Sequence, residues 1–176
     1  MFQKDRLVLL EPNESNQRQV MEYRQEFLDD GSNLDGTGGL GGAQDYSQWL
    51  ENIRACSQKE TCPPGLVTAT QYLAVRKEDG CVVGMVNFRH TLNQELLAHG
   101  GHIGYSIRPS QRQKGYAKEA LALALEECRQ HGLEKVLVTC NKTNLASAKT
   151  ILANGGLLEN ELPHGEHITQ RYWVTL

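Results

Sequence analysis

The sequence predicts an α/β fold, an α+β mixed sheet with helices on its faces, in a single domain spanning residues 1–176. Three observations predict it. Short β-rich runs recur along the chain between turn residues. Amphipathic helical stripes are interleaved among those runs rather than gathered in one block. The 176 residues, 39% of them hydrophobic, suffice for one core and are too few for two comfortable ones.

Each element follows from its residues. Leu7–Leu10 is a short apolar strand stopped by Pro12. Glu14–Leu28 places Val20, Met21, Tyr23, Phe27 and Leu28 at helical spacing. Gly31–Gly42 breaks the pattern and ends in Gly38-Gly39-Leu40-Gly41-Gly42. A second helix starts at about Asp45, with Tyr46, Trp49, Leu50 and Ile53 on one face, and Pro63-Pro64-Gly65 closes that region. Thr68–Val75 and Val82–Phe88 are β-rich and joined through Glu78-Asp79-Gly80, a hairpin signal. Leu92–Gly101 is a polar connection with room for a helical turn, and His102–Ile107 is a strand closed by Pro109. Ala117, Ala120, Leu121, Ala124, Leu125 and Cys128 form one apolar stripe, with Lys118, Glu119, Glu126 and Arg129 away from it; this is the clearest helix, and Gly132 stops it. Lys135–Cys140 is a buried-type strand. Leu145–Leu152 is a helix ended by Asn154-Gly155-Gly156. Leu157–Leu158 and Ile168–Thr175 are closing strands around a Pro163-His164-Gly165 turn.

Composition narrows the function classes. The net charge is -3 with no block of like charge, which argues against a nucleic-acid partner. No apolar run spans a bilayer, and Met1–Arg6 lacks the apolar stretch of a signal peptide. Cys56, Cys62, Cys81, Cys128 and Cys140 show neither a C-x-x-C pair nor metal spacing, which reads as free thiols in a reducing cytoplasm. The expectation is a cytoplasmic protein with no membrane partner and no metal. His164, Glu166 and His167 have spacing that could ligate a metal, but a solvated turn is the commoner arrangement. Gly36-Thr37-Gly38-Gly39-Leu40-Gly41 fits G-x-G-x-x-G by letters. It follows a polar helix rather than a strand, so it reads as a mobile loop and not as a dinucleotide fingerprint.

The informative stretch is Ser106–Ala124. A strand ends at Pro109, a short polar turn follows, and Gly115 opens the long helix. The first amides of a helix lack internal partners and carry partial positive charge, so they bind phosphate where the backbone can be approached closely. Gly115 and the small Ala117 permit that approach, and Arg108, Arg112, Lys114 and Lys118 add positive charge. A plain strand-to-helix connection with solvated basic residues is the competing reading.

Arg112-Gln113-Lys114-Gly115-Tyr116-Ala117 resembles the Gln/Arg-x-x-Gly-x-Gly/Ala motif of the GNAT superfamily of N-acetyltransferases. Ile103–Pro109 looks like that family's central strand. Asn144-Leu145-Ala146-Ser147, followed by Gly155-Gly156, resembles its second motif. The resemblance implies a mostly antiparallel sheet whose central strand pair splays apart, with acetyl-CoA as cosubstrate in the gap. By the same resemblance, the amides of Arg112, Gln113, Lys114, Gly115, Tyr116 and Ala117 hold the pyrophosphate. Ile107 and Arg108 bond the pantetheine arm, and Asn144 and Ser147 line the gap. Asn144 is equally a helix N-cap, and both roles can hold together.

The implied reaction is direct acetyl transfer to an amine on a small molecule, peptide or protein, with no covalent enzyme intermediate. An ammonium of pKa ~10.4 must first lose a proton, so a base helps. Many relatives place a Glu near position 102; here it is His102, which titrates near neutrality and is the candidate base, against the plainer reading of a strand histidine bonded to a neighbour. Relatives with a Tyr acid place it seven residues after the motif Asn, where this chain has Ile151, and the usual Gly-Phe is Gly155-Gly156. The region between the first two helices borders the acceptor site in this family, which makes Gly31–Gly42 a candidate lid. Competing expectations are a coenzyme A-binding sensor without turnover, transfer of a longer acyl group, and a nucleotide or other phosphate binder. The identity of the acceptor and the oligomeric state, a homodimer among the options, stay open.

Overall fold

The computed structural model describes residues 5–176; Met1–Lys4, the start of the segment read as lacking a signal peptide, lies outside the described residues. The strands are β1 (Leu7–Leu10), β2 (Ala69–Arg76), β3 (Val82–Arg89), β4 (Ile103–Ile107), β5 (Lys135–Asn141), β6 (Leu157–His164) and β7 (His167–Thr175). The helices are α1 (Gln17–Asp30), α2 (Tyr46–Cys56), α3 (Tyr116–Gln130) and α4 (Leu145–Ala153). Asp45 caps α2 by accepting from the Gln48 amide, and Gly31 ends α1 in the left-handed conformation. Leu96–Gly100 forms a wide helical turn before β4. Among the described residues no helix is long and apolar enough to cross a membrane.

The strands form two antiparallel sheets, ordered β1-β2-β3-β4 and β5-β7-β6. They meet at the start of β4 and the middle of β5. There the His102 amide donates to Leu137 O at 2.8 Å, and the Leu137 amide donates to His102 Nδ1 at 2.9 Å. Beyond that point no backbone bond joins β4 to β5 among the described residues, and the two strands part.

Helices cover both faces of the larger sheet. One cluster, with Val83, Val86, Phe88 and Ile103, packs under α3 through Leu121, Ala124, Leu125 and Cys128. The other, with Leu73, Val82 and Met85, packs under α1 and α2 through Tyr23, Phe27, Trp49 and Ile53. These helical residues are those whose spacing predicts the two faces. Glu119, buried in the first turn of α3, accepts from the Arg6 and Leu7 amides (2.7 and 2.9 Å) and from Arg6 Nε (3.0 Å). This ties β1 to the start of α3.

Strand β6 runs longer than the expected Leu157–Leu158. It is an edge strand with almost every residue exposed, so no alternation of buried and exposed positions marks Glu159–His164. Pro163 is tolerated there because an edge strand has a free side for a residue without an amide hydrogen.

Candidate active site

The parting of β4 and β5 opens a cleft of about 940 Å³. Its floor is β4, one wall is Thr139–Asn141 on β5 with Asn144, Ser147 and Thr150 on α4, and one end is the turn before α3. The other end is made by Asp35, Gly36, Arg89, His99 and Thr169.

The turn has the backbone geometry of an amide cradle. Gln113 and Gly115 have φ of 61° and 83°, left-handed backbone on either side of Lys114. Alternation of this kind gathers amides on one concave side. Tyr116 and Ala117 follow as the first helical residues, with no acceptor for their amides inside α3. Gln113 is the one residue other than glycine with positive φ among the described residues. Such backbone is costly for a residue with a Cβ and persists where the surroundings hold it. Arg112 is fixed at the rim by Asp30 (3.2 Å) and by the Phe27 ring (5.4 Å). The Tyr116 ring is buried beneath Arg6 (4.5 Å), and its hydroxyl accepts from Arg76 Nη1 at 3.1 Å.

Gln113, Gly115, Ala117, Ile107, Asn144 and Ser147 all line the cleft together with Arg112 and Tyr116. Asn144 caps α4 by accepting from the Ser147 amide at 3.1 Å, as its residue type predicts. Lys114 turns its amine to Gln111 Oε1 (3.1 Å), and its carbonyl accepts from Arg6 Nη1.

Arg108 departs from expectation. Its amide donates to Val83 O on β3 (2.8 Å), its carbonyl accepts from the Gln111 amide (2.8 Å), and its guanidinium is paired with Glu26. No backbone edge of Arg108 is left for a pantetheine arm. Strand alternation explains this: with Arg108 facing β3, the backbone groups of Tyr105 and Ile107 face the opposite edge, toward the gap.

His102 also departs from expectation. Its ring is buried, Nδ1 already accepts the Leu137 amide, and the residue does not line the cleft. Burial, aided by the Arg89 charge, lowers its pKa to about 4. The ring thus ties β4 to β5 through Nδ1 and stands outside the cleft lining.

The structure brings forward residues that the sequence reading left out. The Tyr105 hydroxyl lies 2.7 Å from Ser147 Oγ, inside the cleft. Burial pushes the Tyr105 phenol up to about 12, so it stays a proton donor at neutral pH. Ile151, at the position of the relatives' Tyr acid, is fully buried in the core. The glycine-rich loop lies directly on β4: a Cβ on Gly36 would overlap the Gly104 carbonyl group and the Tyr105 nitrogen. The loop is pinned by Gln71 Nε2 donating to Gly36 O (2.9 Å), by Trp49 Nε1 donating to Thr37 O (2.7 Å) and by the buried Leu40. The signal available beforehand was Gly104, since a glycine inside a strand often marks the close approach of another backbone.

Comparison with known proteins bears on the family and the fold. The sequence pattern of the Acetyltransferase (GNAT) domain family matches residues 10–156. The curated relative YnaD of Bacillus subtilis (strain 168), an N-acetyltransferase by name, is 23% identical over 113 residues. That match covers 61% of this chain and 64% of YnaD, just under two thirds of the relative's length. RimL, a ribosomal alpha-N-protein acetyltransferase solved with coenzyme A, superposes with a TM-score of 0.69 at 17% identity, over 98% of this chain and 95% of its own. The microcin self-immunity acetyltransferase MccE, solved with acetyl-CoA and AMP, superposes with a TM-score of 0.68 at 18% identity, over 98% and 93%. At these identities the superpositions show a shared fold. Among the described residues no group of three His, Cys, Asp or Glu side chains is arranged to hold a metal.

Proposed function

Since the chain belongs to the GNAT acetyltransferase family, we propose that it transfers the acetyl group of acetyl-CoA directly to an amine, without a covalent enzyme intermediate. The observation that carries this reading is the single cleft joining three things: an amide cradle at one end, an open strand edge along its floor, and a hydrogen-bonded hydroxyl pair midway.

The Gln113–Ala117 backbone and the Arg112 guanidinium suit a diphosphate. The edge groups of Tyr105 and the amide of Ile107, whose carbonyl already accepts from Arg112 Nε (3.3 Å), suit the amides of a pantetheine arm. The bound thioester supplies an activated acetyl group. The Tyr105 amide, facing the gap, is placed to donate to the oxygen that gains charge as the carbonyl is attacked. Ser147 Oγ donates a proton toward the departing sulfur and is resupplied through the Tyr105 hydroxyl, so the pair replaces the Tyr acid that Ile151 cannot be. His102 holds β4 to β5 at the apex of the gap and stays out of proton transfer.

A panel of amines with detection of free thiol from acetyl-CoA tests this reading. Turnover of at least one amine is expected, and Ser147→Ala is expected to lower kcat by about 10²-fold, the lower range for a general acid. Coenzyme A affinity by calorimetry should change only a few-fold. Coenzyme A binding without turnover of any amine would replace the enzyme with a sensor. Preference for a longer acyl thioester would change the donor.

A further inference from the structure

The far end of the cleft holds two opposite charges that the transfer chemistry leaves unused. Arg89, the last residue of β3, donates through Nη1 to the carbonyls of Gly100 (2.9 Å) and Gly101 (3.2 Å). Its Nη2 makes no hydrogen bond among the described residues and lies over Gly104: a Cβ there would come within 3.0 Å of Nη2 and 3.2 Å of Gly36 Cα. Asp35 immediately precedes Gly36, so the loop delivers a carboxylate to the spot that Arg89 reaches from β3. Both side chains line the cleft. Each lies in the other's field, yet they form no ion pair, and Asp35 makes no hydrogen bond among the described residues.

Surrounding protein raises the Asp35 carboxyl above its ordinary range, and the Arg89 charge offsets that only in part. Desolvation likewise works against the charge of Arg89. Arg89 is half-buried and Asp35 stands exposed at the cleft, so water can reach the carboxylate while one face of the guanidinium is held by backbone carbonyls. Here the closing contact is missing on both sides, beside the Tyr105–Ser147 pair.

We infer that this end of the cleft binds an acceptor that is itself zwitterionic: a small amino acid whose ammonium faces Asp35 and whose carboxylate meets Arg89 Nη2. The inference rests on the acetyl-transfer reading. A polyamine would set a cation against Arg89, and an amine without a carboxylate would leave Arg89 as it stands. In the reaction the ammonium gives one proton to Asp35, which passes it to solvent. The amine nitrogen bonds the thioester carbonyl carbon, the carbon–sulfur bond breaks, and the sulfur takes its proton from Ser147; the nitrogen's second surplus proton leaves as the amide forms and restores Ser147 through the Tyr105 hydroxyl. The acceptor carboxylate is unchanged throughout. The product lacks the ammonium, and with it the attraction to Asp35.

The test compares free amino acids with their carboxamides, spermidine and a blocked-C-terminus peptide on the wild-type protein. The acid is expected to exceed its amide by about tenfold or more in kcat/KM, the scale of one charge-assisted contact. Calorimetry of the same acid and amide on protein saturated with coenzyme A should show the same preference without turnover. Arg89→Lys should narrow the acid-to-amide ratio, and Asp35→Asn should weaken both alike. Equal use of acid and amide, or an unchanged ratio in Arg89→Lys, overturns the inference. Turnover of spermidine or peptide alone overturns the acceptor class and leaves acetyl transfer standing. No turnover with any amine overturns both.

Discussion

A histidine where two strands begin to part is an inviting base, but the ring of His102 is committed elsewhere. Nδ1 accepts the Leu137 amide and the backbone amide donates to Leu137 O, so one residue clasps the two sheets where the gap begins. Its folded pKa of about 4 lies below the unfolded value of ~6.5. The unfolded chain therefore binds the proton more readily. The stability contribution is complete above about pH 6.5 and falls as the pH drops toward about 4. His90, also lowered by burial and by the neighbouring His131, adds to the trend. Chemical unfolding across this window is expected to show the loss, and His102→Asn, which keeps an acceptor near the Nδ1 position, should flatten part of it. The same variant should leave the shape of the pH–rate profile unchanged; a profile that loses an ionisation would restore His102 as the base.

Two glycine-bearing segments meet β4 from opposite ends, and they are expected to fail differently. Gly36 has φ of 66° and sits against the Gly104–Tyr105 backbone, where no flexible side chain can yield. Gly36→Ala is expected to cost about 1–3 kcal/mol through strain and displacement of the loop. It should raise the acceptor KM with little effect on coenzyme A binding. Gly115 has φ of 83°, and its Cβ would meet only the end of Arg6 at 3.3 Å. Gly115→Ala is expected to cost about 1–2 kcal/mol through its left-handed backbone and to weaken coenzyme A binding. Urea unfolding with calorimetry on each variant separates the two patterns. Held by Gln71, Trp49 and Leu40, the loop is expected to behave as a fixed wall of the proposed acceptor end rather than as the lid that its place between the first two helices suggests. Hydrogen exchange at residues 31–42 is its direct measure.

At the scale of the molecule, the cleft exists because two sheets share one contact point and then part. A ligand filling that gap binds the folded chain and not the unfolded one. Coenzyme A at a hundred times its Kd is therefore expected to add about 2.7 kcal/mol of stability. For a chain of 176 residues that is a rise in Tm of roughly 5–10 °C. ATP, which has phosphates but no pantetheine arm for the β4 edge, is expected to give much less. An equal shift from ATP in a thermal-shift assay would favour a general phosphate binder.

Most elements were legible because their physics is local. The apolar stripe of α3, the caps at Asp45 and Asn144, and the glycine that opens α3 are properties of neighbours in sequence. The turn proposed for the donor was legible for the same reason, since a helix start and its preceding turn lie in six consecutive residues. The edge strand β6 was not, because a strand without a buried face has no period to read. The middle and acceptor end of the cleft depend on contacts between distant segments. Tyr105 meets Ser147 across 42 residues, and Gly36 and Arg89 converge on Gly104 from a loop and from β3. Whether Arg108 and His102 face the gap turned on which strand each backbone group bonded. The sequence by itself determined the fold class, the family and the turn that opens α3; only the tertiary structure decided which side chains meet in the cleft, because facing across a gap is set by sheet pairing and not by spacing along the chain.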